Sequence, residues 1–135
     1  MKTTLLVLLG LSVIVGAASS LSPDSRVFEL RTYHAAPGKF DALHSRFRDH
    51  TNALFKKHGM EVVGYWVPTD ADKGSADTLV YLLAFKDRAA ARAAWAAFAS
   101  DPEWVRVMTE SQKDGSLTSK IESVFMSPTD YSPLK

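Results

Sequence analysis

The order of secondary-structure patterns along this chain is β-α-β-β-α-β, and it constrains the fold more than any single motif does. The pattern begins at Val27–Phe40, where strand-like alternation breaks at a Pro-Gly pair and an amphipathic helix follows. Further strands are expected at Met60–Val67, Thr78–Phe85 and Ser119–Met126. The connection between the second and third strands is too short for a parallel crossover, so these strands should form an antiparallel hairpin. The sequence therefore predicts a ferredoxin-like α+β fold, a split sandwich in which helices cover one face of a four-stranded antiparallel sheet.

Two helical regions are expected between these strands. The first runs from about Lys39 to Lys57, and its apolar positions fall on one helical face: Phe40, Leu43, Phe47 and Leu54. The second should begin at Asp87, which can cap a helix, and restart at Asp101-Pro102. An Asp N-cap followed by proline at the first helical position is a specific start signal.

The first strand divides its side chains between two faces. Phe28 and Leu30 form an apolar set, which should face the core under the helices. Glu29, Arg31 and Tyr33 form a second set, which should line the opposite, helix-free face. With aromatic residues from the neighbouring strands, that face would be too apolar to remain in water. A homodimer that packs the two sheets against each other would cover it.

Residues 1–20 have the pattern of a signal peptide. Lys2 precedes an apolar run from Leu5 to Ala18, and small residues follow at cleavage spacing. The run is shorter than the roughly 20 residues that span a bilayer. The sequence therefore predicts an exported protein, periplasmic or secreted, that is free of the membrane once its leader is removed.

Charge and cysteine content exclude several classes of function. Lys2 is the only charged residue in the predicted leader, so the remaining chain carries balanced charges. Nucleic acids and anionic membranes select a basic excess, and neither is expected as a partner. The chain contains no cysteine, which removes disulfides, thiolate metal sites and a cysteine nucleophile. It also lacks a Gly-rich phosphate loop and a G-x-S-x-G elbow, so no nucleotide cofactor or serine hydrolase chemistry is expected.

The candidate ligand-binding residues are a carboxylate, a cation, a histidine and three phenols: Glu29, Arg31, Tyr33, His58, Tyr65 and Tyr81. In a pocket, Arg31 could hold an acidic ligand while Glu29 or Tyr33 moves a proton. In the structural alternative, Glu29 and Arg31 simply pair with each other. The four histidines lack the spacing of a zinc site, and no metal is predicted. A heme-binding histidine remains compatible with the sequence.

Four segments resemble the NIPSNAP family: ELRTYHAAPGKFDAL, KHGMEVVGYWVP, LVYLLAFKDRAAARAAWAAFASDPEW and SVFMSPTDYSP. The resemblance implies a single dimeric α/β barrel domain over residues 26–133. It implies no catalytic residues, because none are established for the family.

Two functional hypotheses follow. The first is an exported small-molecule-binding or interaction module, with a small hydrophobic or acidic ligand as its possible partner. The alternative is a cofactor-independent isomerase, cyclase or monooxygenase acting on a hydrophobic aromatic or carbonyl substrate. Tight packing around the polar row favours the first, whereas an open cavity holding Arg31, Tyr33 and His58 together favours the second.

Overall fold

The computed structural model describes residues 26–135, in which strands and helices alternate in the predicted order. The strands are β1 (Val27–Ala35), β2 (Glu61–Trp66), β3 (Thr78–Phe85) and β4 (Thr118–Met126). The α-helices are α1 (Phe40–Arg46), α2 (Asn52–Lys57), α3 (Arg88–Ser100) and α4 (Pro102–Ser111). The predicted leader lies outside the described residues and stays a prediction, which N-terminal sequencing of exported protein would check.

The four strands form one sheet in the order β2-β3-β1-β4, with every neighbouring pair antiparallel. The hydrophobic core lies between this sheet and the helices, where apolar side chains of β1 and β3 meet those of α1, α2 and α3. This arrangement confirms the ferredoxin-like α+β fold.

Both predicted helix starts are present. The Asp87 carboxylate accepts a hydrogen bond of 2.7 Å from the Ala90 amide at the start of α3. Asp101 accepts one of 2.8 Å from the Glu103 amide, and Pro102 occupies the first turn of α4. Each carboxylate satisfies an amide that has no partner within its helix.

The first helical region contains a feature that the sequence pattern did not predict. Between α1 and α2, Phe47–Thr51 winds as a π-helical turn. The Thr51 hydroxyl donates a hydrogen bond of 3.2 Å to the Arg46 carbonyl oxygen across this turn. The wider turn changes the phase of the helix, and both Leu54 and Phe55 of α2 are buried in the core.

The assignment of the two faces of β1 was wrong. Glu29 and Tyr33 lie on the helix side, where Glu29 meets Trp95 of α3 and the Tyr33 ring meets Phe47 at a centroid distance of 5.6 Å. Phe28 lies on the other face and lines a groove with the C-terminal tail. The alternation separated the two sets correctly, but polar residues can face a core when they satisfy one another there.

The helix-free face carries an apolar patch next to an ion-pair group formed by His34, Lys120 and Glu122. By strand register, Leu30, Trp66, Val80 and Val124 lie on this face, and Trp66 and Val124 are each about half exposed, at 51% and 54%. Tyr33, which was expected there, lies on the helix side instead, together with Tyr65 and Tyr81.

The Trp66 ring lies over Gly64, where a Cβ atom would come within 2.7 Å of the indole. Glycine at this position therefore provides the space that the ring occupies on the helix-free face.

Candidate functional site

The polar row of β1 forms a buried network against α3. Glu29 is 1% exposed, and its carboxylate accepts hydrogen bonds from Trp95 Nε1 at 2.6 Å, Ser123 Oγ at 2.6 Å and Arg31 Nη1 at 2.8 Å. Arg31 also donates to the Tyr33 hydroxyl at 3.1 Å, and its guanidinium lies 4.5 Å from the centre of the Trp95 ring. The carboxylate and the cation are therefore matched to each other and enclosed by partners.

Tyr81 from β3 completes this cluster. Its side chain is fully buried, and its hydroxyl lies beside the Tyr33 and Arg31 side chains without a well-aligned hydrogen bond to any described residue. Burial raises the pKa of Tyr81 well above its ordinary value, the nearby Tyr33 raises it further, and Arg31 opposes the change. Burial also opposes the charge of Arg31, but Tyr81, Tyr33 and Glu29 outweigh it and raise the pKa of that guanidinium. At neutral pH the cluster therefore holds a protonated phenol beside a permanent cation.

A concavity with aromatic walls lies beside this cluster, between the first helical region and the edge strand β2. It has a volume of about 380 Å³, within the usual range for small-ligand sites, and its lining residues include His44, Phe47, Arg48, Asn52, Tyr65 and Leu79. The Tyr65 ring packs on Phe47 and Tyr81 at centroid distances of 5.8 and 5.6 Å. Tyr65 therefore forms a wall shared by the cavity and the buried cluster.

The Tyr65 hydroxyl supplies polarity within this cavity. It donates a hydrogen bond of 3.2 Å to the Asn52 side-chain oxygen. Burial raises the pKa of Tyr65 to about 12, so the phenol keeps its proton at neutral pH. The cavity thus combines aromatic walls with a hydroxyl and an amide that could hold a polar group of a ligand.

His58 lies apart from these residues. It ends α2, and its Nε2 is 2.7 Å from the Asp101 carboxylate, which Lys57 also contacts at 2.7 Å. Lys57 and His58 together hold the pKa of Asp101 well below its usual range. The His58 ring packs against Phe98 rather than against any tyrosine of the cluster. His58 therefore joins α2 to the junction of α3 and α4.

Sequence reasoning missed Arg46 as a candidate residue. This side chain in α1 is only 6% exposed, and burial lowers its pKa, although Tyr33 and Tyr81 oppose that change. The helical spacing did indicate that Arg46 would be buried, because it follows Leu43 by three positions and so shares the buried face of the helix.

Two further properties concern metals and membranes. Within residues 26–135, no three acidic or histidine side chains lie close enough together to hold a metal ion. No helix in the same part of the chain has the length and apolar character needed to cross a membrane.

The topology and the core define a ferredoxin-like α+β domain in which Glu29, Tyr33 and Tyr81 lie between the helices and the sheet. The sequence model of the NIPSNAP family matches residues 28–133, and this chain belongs to that family. A comparison with curated proteins found no match.

Several solved structures are similar to this chain. Atu4242 from Agrobacterium tumefaciens shares 27% sequence identity, with coverage of 81% of this chain and 99% of the other, at a TM-score of 0.69. An uncharacterised NIPSNAP-like domain protein from Burkholderia xenovorans shares 18%, with coverage of 80% and 89%, at a TM-score of 0.68. A mutant of SnoaB, a cofactor-independent oxygenase from Streptomyces nogalater, shares 18%, with coverage of 80% and 97%, at a TM-score of 0.52. The last two similarities concern the fold alone.

Proposed function

We propose that this protein is an exported homodimeric module that binds a small, flat, largely apolar molecule in the cavity beside Tyr65. The observation that supports this function most directly is the aromatic cavity itself, with its hydroxyl and amide. The polar row of β1 adds support, because Glu29 and Arg31 are paired with each other and Trp95 donates a further hydrogen bond to Glu29. A closed network of this kind shapes a neighbouring cavity rather than binding a ligand directly.

A suitable probe is 1-naphthol, which combines a flat aromatic body with one hydroxyl group. We expect the protein to bind it, and we expect Asn52→Trp to weaken binding by at least about tenfold, because the new indole would occupy the cavity. Isothermal titration calorimetry measures both affinities. Asn52 is exposed, so the variant should fold.

Lys56→Trp is the matched control, since Lys56 is also exposed in α2 but does not line the cavity. It should bind 1-naphthol like the unmodified protein. Absence of binding to the unmodified protein, or equal binding by both tryptophan variants, would contradict the proposed site.

A second candidate function is cofactor-independent catalysis on an aromatic substrate. The observation in its favour is the Tyr81 hydroxyl, which lies behind the Tyr65 wall and near Arg31 and has no well-aligned hydrogen bond within the described part of the chain. The fold similarity to SnoaB is compatible with such a role but does not assign it. Liquid chromatography with mass spectrometry of a bound aromatic compound after incubation in air separates the two functions. A binding module returns the compound unchanged, an oxygenase changes its mass, and an isomerase or cyclase changes its retention time.

The proposed dimer packs the helix-free faces of two copies against each other. The half-exposed Trp66 and Val124 would be covered in such an interface, which at standard size buries roughly 1,600 Å² in total. Val124→Lys should therefore give a monomer in light scattering, because it places a charge in the interface. Val105→Lys, at a 51% exposed position on α4, should leave the dimer intact. A monomeric unmodified protein at micromolar concentration would contradict the proposal.

A further inference from the structure

A second concavity, separate from the aromatic cavity, lies between α1 and α4. Its volume is about 420 Å³, and its lining includes Ala42, Arg46, Val107, Ser111 and Leu117. Arg46 differs from the other residues named here because it is a cation, and it is almost fully removed from solvent. A buried charge of this kind requires a group that balances it.

The surroundings of Arg46 provide only weak partners. One guanidinium nitrogen lies 3.2 Å from the Met108 sulfur and 3.4 Å from the Ser111 hydroxyl. The Trp104 ring lies 5.4 Å away, and Nε has no hydrogen-bond partner among the described residues. No carboxylate in residues 26–135 forms a salt bridge with Arg46, since every salt bridge in that part of the chain joins other residues.

Arg31 shows how the same protein treats a buried cation that has a counter-charge, although its Nε, like that of Arg46, has no hydrogen-bond partner among the described residues. Its guanidinium contacts the Glu29 carboxylate at 2.8 Å, and Tyr33 and Trp95 provide further contacts. A buried cation without such a partner loses much of its hydration and recovers little of it from sulfur and hydroxyl groups. Arg46 therefore has unused capacity to bind an anion.

The backbone beside Arg46 is also unusual. The π-helical turn begins at the next residue, Phe47. At its end, the Thr51 hydroxyl donates a hydrogen bond to the Arg46 carbonyl oxygen. Turns of this kind occur often at functional sites, where they redirect a side chain without breaking the helix. This observation is independent of the charge of Arg46.

We propose that the concavity between α1 and α4 binds a small carboxylic acid through Arg46. A guanidinium matches a planar carboxylate with two parallel hydrogen bonds. Ala42, Val107 and Leu117 suit a short apolar body. Asp49 and Glu110 also line the concavity. Their charges oppose the binding of any anion, and they oppose a dianion such as phosphate more strongly than a monocarboxylate.

Benzoate is the probe for this site, and benzamide is its uncharged analogue. Benzoate should bind the unmodified protein and raise its melting temperature, because a ligand of the native state stabilises that state by mass action. Benzamide and inorganic phosphate should do neither. Two-dimensional NMR of arginine Nε–H groups should show a shift of the Arg46 resonance on addition of benzoate.

Arg46→Met should weaken benzoate binding by at least about tenfold, because the charged hydrogen bonds are lost. Arg46→Lys should retain weaker binding, because it keeps the charge without the planar pair of donors. Arg92→Met is the matched control, since Arg92 is an exposed arginine on α3, and it should leave binding unchanged.

The measurements on unmodified protein keep the proposal testable even where an Arg46 variant fails to fold. Equal effects of benzoate and benzamide, binding of phosphate in place of benzoate, or an unshifted Arg46 resonance would overturn it. Arg46 does not line the aromatic cavity, so failure here would leave the 1-naphthol experiment unaffected.

Discussion

Glu29→Ala is expected to lower the free energy of unfolding by about 3–5 kcal/mol, the cost of removing one partner from a buried ion pair. The Glu29 carboxylate accepts hydrogen bonds from three donors, on Trp95, Ser123 and Arg31. Without it, all three donors lose their acceptor, and the part-buried Arg31 is left without a counter-charge. Urea denaturation at fixed protein concentration measures the effect, because the stability of a dimer would depend on concentration.

The double substitution Glu29→Gln and Arg31→Met is the informative control. It removes both charges and leaves one amide oxygen, which can accept from Trp95 or from Ser123; in the native protein these two donors bond to different carboxylate oxygens. We therefore expect it to destabilise the protein less than Glu29→Ala, since replacing a whole buried pair can be nearly neutral. A loss below about 1 kcal/mol for Glu29→Ala would show that this network does not hold β1 to α3.

Phe55→Ala should destabilise the protein by a similar amount, about 3–5 kcal/mol, because it leaves a cavity in the core. Phe55 is 1% exposed, and its ring contacts four other aromatic rings, those of Phe47, Tyr81, Trp95 and Phe98. Few of these contacts can re-form around an alanine.

Lys56→Ala supplies the comparison at the adjacent position. Lys56 is exposed, so its replacement should change the free energy of unfolding by less than about 0.5 kcal/mol. Thermal or urea unfolding of the two variants tests the helix phase directly. Equal losses would mean that the π-helical turn does not orient α2 as described.

The elements of this fold were largely predictable because their signals are local. Asp87 and Asp101-Pro102 mark helix starts through side chains that bond to nearby amides, and β3 was predicted with its observed bounds. The antiparallel pairing of β2 with β3 was predicted because the connection between them is too short for a parallel crossover. These features depend on residues close together in sequence, which is where pattern reasoning is strongest.

The candidate site was less predictable because its key properties arise between distant segments. The alternation of side chains along β1 places Glu29 and Phe28 on opposite faces of the sheet, but it does not indicate which face packs against the helices. The answer depends on the Trp95 N–H and the Ser123 hydroxyl, which are 66 and 94 residues away from Glu29. Arg46 was missed because a charged residue in a polar helix is usually exposed, and no sequence signal marked the π-helical turn.

The placement of Trp66 over Gly64 has a consequence for association. A side chain that must be immobilised on binding opposes the complex by roughly 0.5–1.5 kcal/mol of lost rotational freedom. The indole of Trp66 already rests against a backbone position that has no side chain to displace it. We therefore expect this contact to meet part of the entropic penalty during folding.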